Sequence, residues 1–541
     1  MNNYKIWIEK TADYPALYEE LVSIENDKKA INDRFYRELE FGTGGLRGII
    51  GAGPNRMNVF TVSRATLGLG DYISKSKAPQ SVVIAYDSRN MSCEFAKRTA
   101  EILSSFGITV YIFDKITPTP VLSYAVRELK AGAGIVITAS HNPKEYNGYK
   151  VYNEFGCQIT DNSAKEITAK IKERGYFDSY EKKEEFIKVI GDEILDKYLT
   201  AIKKLSLFEV DKKYAPKVVY TPLNGTGNIP VRRILAEIGI SEIDVVKEQE
   251  LPDKNFTTCP YPNPEEKDTL ELAIKLGNSN NAELVLATDP DADRLGIAVR
   301  NNEREFVLLN GNETGMLIMD YILARKSQEG TLGKNPVVIK TIVSTDIAFS
   351  IAEKYGATVK EVLTGFKYIG EAIDTLDNFV MGMEESYGYL IGAHARDKDA
   401  VSAAMMVCEM YTYYKQCGMS LYEKLLEIYK EHGIYVTDLM SKTYAGESGA
   451  EKMKKIIASV RRNPSISYKD EIFTFTDFNE GINGLPKSDV LRFKSQNVRI
   501  IIRPSGTEPK IKIYFQVSAK TASDAKAILA DVKEIVQRIL D

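Results

Sequence analysis

Short runs of consecutive apolar, mostly β-branched residues alternate with longer amphipathic stretches along most of this chain. Val82-Val-Ile-Ala-Tyr86, Val218-Val-Tyr220 and Val337-Val-Ile-Lys340 predict early buried strands. A helix is expected after each, over 93–106, 229–238 and 345–355, with Gly107, Gly239 and Gly356 placed to end it. Later runs at 135–138, 284–288 and 379–383 predict further strands, and each ends abruptly in polar residues. Those ends read Ala-Ser140-His141-Asn, Asp289-Pro-Asp291-Ala-Asp293 and Glu384-Glu385-Ser386-Tyr-Gly388. The pattern is a weak internal repeat. It predicts similar doubly wound units, each giving one loop to a shared cleft at the carboxyl ends of its strands.

The two ends of the chain break this rhythm. Polar-faced helices are expected over 14–26 and 28–40, the second with an Ile31, Phe35, Leu39 stripe. After helices at 399–416 and 420–432, stopped by Gly433, the tail predicts helix 447–461, strands near 489–502 and 511–518, and helix 522–540. The expected fold is therefore three similar doubly wound α/β domains plus a C-terminal α+β domain around a central cleft. The boundaries fall at 1–207, 208–306, 307–435 and 436–541. A hinge for the last domain is expected near 433–440, where the helix stops.

At 541 residues the chain is too long for one core, which agrees with several domains. No window approaches the ~18 uninterrupted apolar residues of a membrane span, and the start, MNNYKIWIEK, lacks a signal peptide's apolar core. The five cysteines are scattered without a CxxC, as expected of reduced thiols in a cytoplasmic protein. A net charge of −4 argues against a nucleic-acid-coating surface. The expected partner is a small molecule, with neither nucleic acid nor membrane involved.

Three loops carry candidate chemistry. Asp289-x-Asp291-x-Asp293 puts carboxylates on alternate residues, so in an extended loop all three point the same way toward one hard cation. A calcium EF-hand is excluded twice: its flexible sixth position is Arg294 here, and its twelfth is Arg300. Magnesium, shared between carboxylates and a phosphate oxygen, fits better. A solvated acidic turn is the plain alternative, disfavoured by the strand that leads straight into the loop. Ser140 beside His141 is either a nucleophile with its base or a backbone-bonding serine next to a structural histidine. No G-x-S-x-G elbow surrounds it. Arg503-x-Ser505-Gly506-Thr507, with Lys512 on the next strand, offers a cation, two hydroxyls and exposed backbone N–H groups. That suits a phosphate, although a Gly-containing hairpin turn would read the same way. Near the start, Phe41-Gly-Thr-Gly-Gly-Leu-Arg47-Gly48 is a Gly-rich loop with one arginine, which alone says little.

Taken together and in their order along the chain, these segments resemble the α-D-phosphohexomutase superfamily, the phosphoglucomutases and phosphomannomutases, over essentially the whole chain. Ser140-His-Asn-Pro is similar to its phosphoserine loop and Asp289, Asp291 and Asp293 to its magnesium loop. Glu384-x-Ser386 is similar to its sugar-binding loop and Arg503 to Thr507 to its phosphate-binding loop. The Arg47 loop, Thr364-Gly365-Phe-Lys367 and His394-Ala-Arg396-Asp-Lys398-Asp resemble further active-site segments. Many members have Gly before the Glu-x-Ser loop, where this chain has Met383. The combination looks like the branch that holds bacterial phosphoglucomutases and animal phosphopentomutase-like enzymes.

The resemblance implies a Mg²⁺-dependent isomerase that interconverts glucose 1-phosphate and glucose 6-phosphate. Ser140 would carry the phosphoryl group, ligating the metal with the three aspartates, and glucose 1,6-bisphosphate would be intermediate and activator. Lys150 and Lys398 match acid/base candidates, with His141 competing. Arg47, Arg294, Thr364, Gly365, Glu384, Ser386, Arg503, Ser505, Gly506, Thr507 and Lys512 form the expected substrate-binding set. Phosphomannomutase, phosphopentomutase or sugar-bisphosphate synthase chemistry is the alternative on this scaffold. A non-catalytic relative is disfavoured by the intact Ser140 and aspartates. A monomer or weak dimer is expected.

Overall fold

A computed structural model describes residues 2–444, 446–482, 484–504 and 510–540. The chain forms two compact units. One comprises Met1–Gly311, Phe366–Gly382 and Ser386–Gly418; the other comprises Asn312–Gly365, Met383–Glu385 and Met419–Asp541.

The first unit holds two sheets of the same design. The six-stranded sheet runs Leu46–Ile49, Tyr146–Asn153, Ala133–Ile137, Ser81–Tyr86, Thr109–Phe113, Ile187–Ile190. The five-stranded sheet runs Phe306–Leu309, Leu295–Arg300, Leu284–Thr288, Val218–Thr221, Ile243–Val245. Their central strands are buried along their whole length, as in α/β sheets covered by helices. Val82, Ile84, Ile135 and Ile137 share one core with Phe95 and Leu103 of the helix Ser92–Ser105. Val219, Val285, Ala287 and Ala298 form the core of the second sheet.

Ala133–Ile137 pairs in parallel with Ser81–Tyr86 on one side and antiparallel with Tyr146–Asn153 on the other. Leu284–Thr288 pairs in the same way with Val218–Thr221 and Leu295–Arg300. In each sheet the connection that follows the switching strand therefore sits at the carboxyl edge, where strand direction reverses. That edge is the ligand-binding position of open α/β folds. The third repeat follows the same strand, loop, strand order, with Phe379–Glu384, a three-residue connection and Gly388–Ile391. Gly107, Gly239 and Gly356 follow their helices at positive φ.

In the second unit Val337–Thr341 and Thr358–Val362 pair in parallel. The C-terminal domain is a fully antiparallel sheet ordered Ile434–Thr443, Lys510–Ala519, Val498–Pro504, Leu491–Lys494, Thr474–Asp477. The helices Gly446–Arg462 and Ala522–Leu540 pack on it, over a core that includes Phe493, Ile500, Ile513, Val532 and Val536. The fold is thus three α/β domains followed by an α+β domain. No helix among the described residues is long and apolar enough to cross a membrane.

Three local expectations change. The N-terminus has helices Asn2–Lys10, Pro15–Ser23 and Lys28–Phe35. The last stops short of 40 because the chain turns to bond Leu39 N–H to Pro54 O. The strand expected over 489–502 is two strands, since Ser495 exchanges hydrogen bonds with Val498 and reverses the chain. Most of the segment expected as a hinge, 433–440, lies in the strand Ile434–Thr443, paired along its whole length with Lys510–Ala519, and Gly433 precedes it at positive φ.

Candidate active site

The first unit brings the loops of its two sheets into direct contact. Ser140 stands at the end of the Ala133–Ile137 strand in the left-handed region, φ 54°. That costs energy for a residue with a Cβ. Its backbone is tied down on both sides. Ser140 N–H donates to Thr138 Oγ1 at 2.8 Å, and Arg89 donates to its carbonyl and to that of Asn142. Arg89 also reaches the carbonyls of Pro143 and Tyr146, so one guanidinium spans the whole loop. Its charge is met by the fully buried Asp87 at 3.2 Å, and Asp87 in turn accepts from Thr138 and Ser92.

The Ser140 side chain points into the triad. Its Oγ donates to Asp289 Oδ2 at 2.8 Å and lies 3.2 Å from His141 Nδ1. Asp289, Asp291 and Asp293 are all buried, and one oxygen from each lies within 4.8 Å of the others. Asp289 Oδ1 accepts from the N–H groups of Asp293 and Arg294, which folds the loop around its own carboxylate. Asp291 Oδ2 accepts from Thr119 Oγ1 at 2.9 Å and Lys150 Nζ at 2.8 Å. Asp293 Oδ2 lies 3.1 Å from Lys398 Nζ and 3.6 Å from Lys150 Nζ.

Electrostatics separates these groups. Burial and the adjacent Asp293 and Asp291 hold the Asp289 carboxyl well above the usual carboxylate range. Burial also disfavours the charge on Asp291, but Lys150 and the donated hydrogen bonds overcome it and hold Asp291 well below that range. Burial works against the Lys150 ammonium, but Asp291 and Asp293 outweigh it, so its pKa is raised. Burial, then the cations Arg294 and Arg47, push the His141 imidazole well below its ordinary value. It is therefore neutral at neutral pH and a weak base.

The residues fit a hard divalent cation. Asp291 Oδ1 and Asp293 Oδ1 are buried and accept no hydrogen bond, although Arg294 Nε lies 3.8 Å from Asp293 Oδ1; that is a costly state for acceptor-only oxygens. The donor set is all oxygen, which suits magnesium or calcium and disfavours zinc, since neither His nor Cys lies in the loop.

The other expected residues fall in two groups. In the first unit, Arg47 lies opposite Gly148 on the sheet edge and bonds Asn142 of the serine loop. Arg294 pairs with Glu265. Ser386 is half-buried on the connection where Tyr387 accepts from Leu295 N–H. Gly388 bridges Arg294, and a Cβ on it would stand 2.1 Å from Lys398 Cδ. Glycine leaves room there for the lysine stem to cross it. In the second unit, Gly365 N–H donates to the buried Glu384 at 2.9 Å, and Thr364 is adjacent. Arg503 faces Lys512 across paired strands. Ser505, Gly506 and Thr507 lie outside the described residues.

Sequence reasoning missed Arg89, Asp87 and Thr119. The first two sit where the Ser81–Tyr86 strand ends in Asp87-Ser-Arg89, a polar strand end of the kind that drew attention to Ser140. Thr119 opens the helix Thr119–Glu128 and gave no signal of its own.

Repeated α/β domains that place a serine against a three-carboxylate loop, followed by an α+β domain, define the architecture of a phosphoryl-transferring mutase. Domain models of one family match in order along the chain. They are phosphoglucomutase/phosphomannomutase alpha/beta/alpha domains I, II and III over residues 38–176, 196–302 and 310–432, and the C-terminal domain over 450–535. The chain is 36% identical over 547 aligned positions to a phosphoglucomutase of Staphylococcus aureus strain MSSA476, with 96% of each chain covered. Its fold is similar to that of a putative phosphomannomutase from Thermus thermophilus, with TM-score 0.71, 21% identity, and 93% of this chain and 99% of that one covered. It is likewise similar to the open form of pp63/parafusin, a phosphoglucomutase from Paramecium, with TM-score 0.71, 18% identity, and 93% and 96% covered. The chain belongs to the phosphoglucomutase/phosphomannomutase family of isomerases.

Proposed function

We propose that this chain interconverts glucose 1-phosphate and glucose 6-phosphate through a phosphorylated Ser140 and a glucose 1,6-bisphosphate intermediate. The observation that carries the reading is the 2.8 Å bond from Ser140 Oγ to Asp289, within a buried carboxylate triad that has acceptors to spare. The name of the S. aureus relative favours glucose over other sugars.

Asp289, Asp291 and Asp293, with an oxygen on Ser140, would hold Mg²⁺. Bound there, the ion supplies positive charge beside the moving phosphoryl group. The chain's own residues do the rest. Arg89 holds the serine loop in its left-handed turn through four carbonyl contacts, so Ser140 Oγ is aimed before substrate arrives. The bisphosphate must present each of its phosphates to Ser140 in turn. The donating sugar oxygen needs a proton when it leaves, and the attacking one must lose its proton. Lys150 and Lys398 stand beside the triad as the acid/base candidates, with His141 competing; Asp291 and Asp293 raise the Lys150 pKa, so it would donate readily only once those carboxylates are met by a bound cation.

Glu384 and Ser386 would bond sugar hydroxyls common to both orientations. Arg503, Ser505, Gly506, Thr507 and Lys512 would hold the phosphate that is not reacting, with Arg47, Arg294, Thr364 and Gly365 completing the substrate set. Domain limits of 1–207, 208–306, 307–435 and 436–541, a cytoplasmic setting and a monomer or weak dimer complete the reading. The test is intact mass before and after glucose 1,6-bisphosphate, together with coupled assays on glucose-, mannose- and ribose-1-phosphate. A phosphoryl adduct on Ser140 with glucose preferred supports it. No adduct at any bisphosphate concentration overturns the phosphoserine, and faster turnover of another sugar overturns the substrate.

A further inference from the structure

In the second unit, Thr474–Asp477 is the edge strand of the C-terminal sheet, and it pairs with Leu491–Lys494. The register sets Thr474 opposite Lys494 and Thr476 opposite Arg492. Alternate residues share a face, so these four side chains form one polar patch. Phe475 and Phe493 turn to the other face, their tilted rings 5.1 Å apart against the core. An open hollow of about 380 Å³ lies over the patch, lined also by Ile472, Ser495 and Gln496. Arg503 is also on this face but one row further along its strand. The row Thr476, Arg492, Ile501, Tyr514 separates it from the Thr474–Lys494 row.

The charges beneath the cavity do not balance. Asp346 is shared by Arg499, Lys340 at 3.3 Å and Lys494 at 3.0 Å. Glu361 meets Lys340 at 2.6 Å and Arg492 at 3.9 Å. Four cations thus face two carboxylates. Glu471, which accepts from Asn497 beyond the Ser495 turn, brings a third and leaves one positive charge in excess. Arg492 Nε is buried and finds no acceptor. Among the described residues, the side chains of Thr474, Thr476 and Gln496 make no hydrogen bond either. Unspent donors around a cationic hollow are the complement of an anion with several acceptor oxygens.

We propose that this cavity binds the phosphate group of a small phosphomonoester, making it a second anion site that shares no residue with the proposed catalytic set. Arg492 and Lys494 would hold the phosphate oxygens, and Thr474, Thr476 and Gln496 would bond the remainder. The volume is at the small end of ligand pockets and exceeds what a bare ion fills.

Inorganic phosphate is the probe. It is titrated calorimetrically, at constant ionic strength, into the full-length chain and its Arg492→Gln, Thr476→Val and Arg503→Ala variants. The expected result is a binding isotherm that survives Arg503→Ala, weakens at least tenfold in Arg492→Gln and weakens measurably in Thr476→Val. Thr476 is half-buried on an edge strand, so Thr476→Val keeps the test alive if Arg492→Gln does not fold. The proposal is overturned if every folded cavity variant binds phosphate as the parent does, or if Arg503→Ala removes all binding. Neither result bears on phosphorylation of Ser140, which intact mass reads independently.

Discussion

Ser140 Oγ donates to Asp289 Oδ2 at 2.8 Å, although 149 positions separate the two residues in the chain. The contact joins the switch-point loops of two separate sheets, so a nucleophile candidate from one domain meets a metal-site candidate from the next.

Ser140→Ala is expected to lower mutase turnover by about a thousandfold or more, because loss of a nucleophile removes the covalent route altogether. Folding should survive, since the loop is held through backbone atoms of Ser140 by Thr138 and Arg89. The checks are a coupled assay and a thermal melt. A variant that keeps a tenth of parental turnover would rule the phosphoserine out.

Asp291→Ala is expected to abolish measurable Mg²⁺ binding and turnover together. The remaining carboxylates are too few to hold a weakly bound hard cation, and Lys150 loses its nearest counter-charge. Calorimetric titration of Mg²⁺ reads the first effect without an activity assay. Parental affinity in the variant would place the ion elsewhere.

Much of this site was legible in the sequence because its logic is local. An apolar run that stops in Ser-His-Asn or Asp-x-Asp-x-Asp shows both the strand and the chemistry at its end. Arg89 was not legible in this way. A buried arginine makes sense only once Asp87 and four carbonyls surround it, and those carbonyls come from a loop about fifty residues away. The first helix was missed for a similar reason. Trp7 is fully buried, but its partners Phe35, Phe60 and Phe177 come from distant segments. The edge strand Thr474–Asp477 has an unremarkable composition and is fixed by pairing with Leu491–Lys494.

Gly388→Ala is expected to reduce turnover by about tenfold or more with little change in melting temperature. The new methyl would stand 2.1 Å from Lys398 Cδ, so the lysine must leave its path and its 3.1 Å contact with Asp293. Gly388 φ is not in the left-handed region, so the backbone itself tolerates alanine. Steady-state kinetics beside a melt distinguishes the two effects. A large fall in stability with turnover per folded molecule unchanged would show that Lys398 does not need this path.

Asp346→Asn is expected to destabilise the second unit by about 3–5 kcal/mol at neutral pH, because it strips a shared counter-charge from Arg499 and Lys340, both buried. The pH dependence has a definite sign. Burial disfavours the Asp346 carboxylate, but Arg499, Lys340 and Lys494 overcome this and hold its pKa below the ordinary value. A carboxyl depressed on folding stabilises the native state above its unfolded pKa, about 3.9, and loses that contribution as the pH falls toward the folded value. The gap between parent and variant should therefore stay constant from pH 8 to pH 5 and narrow below about pH 4. Denaturant melts across that range measure it. A gap that widens on acidification, or that vanishes at neutral pH, would mean that Asp346 does not carry the charge which the surrounding cations require.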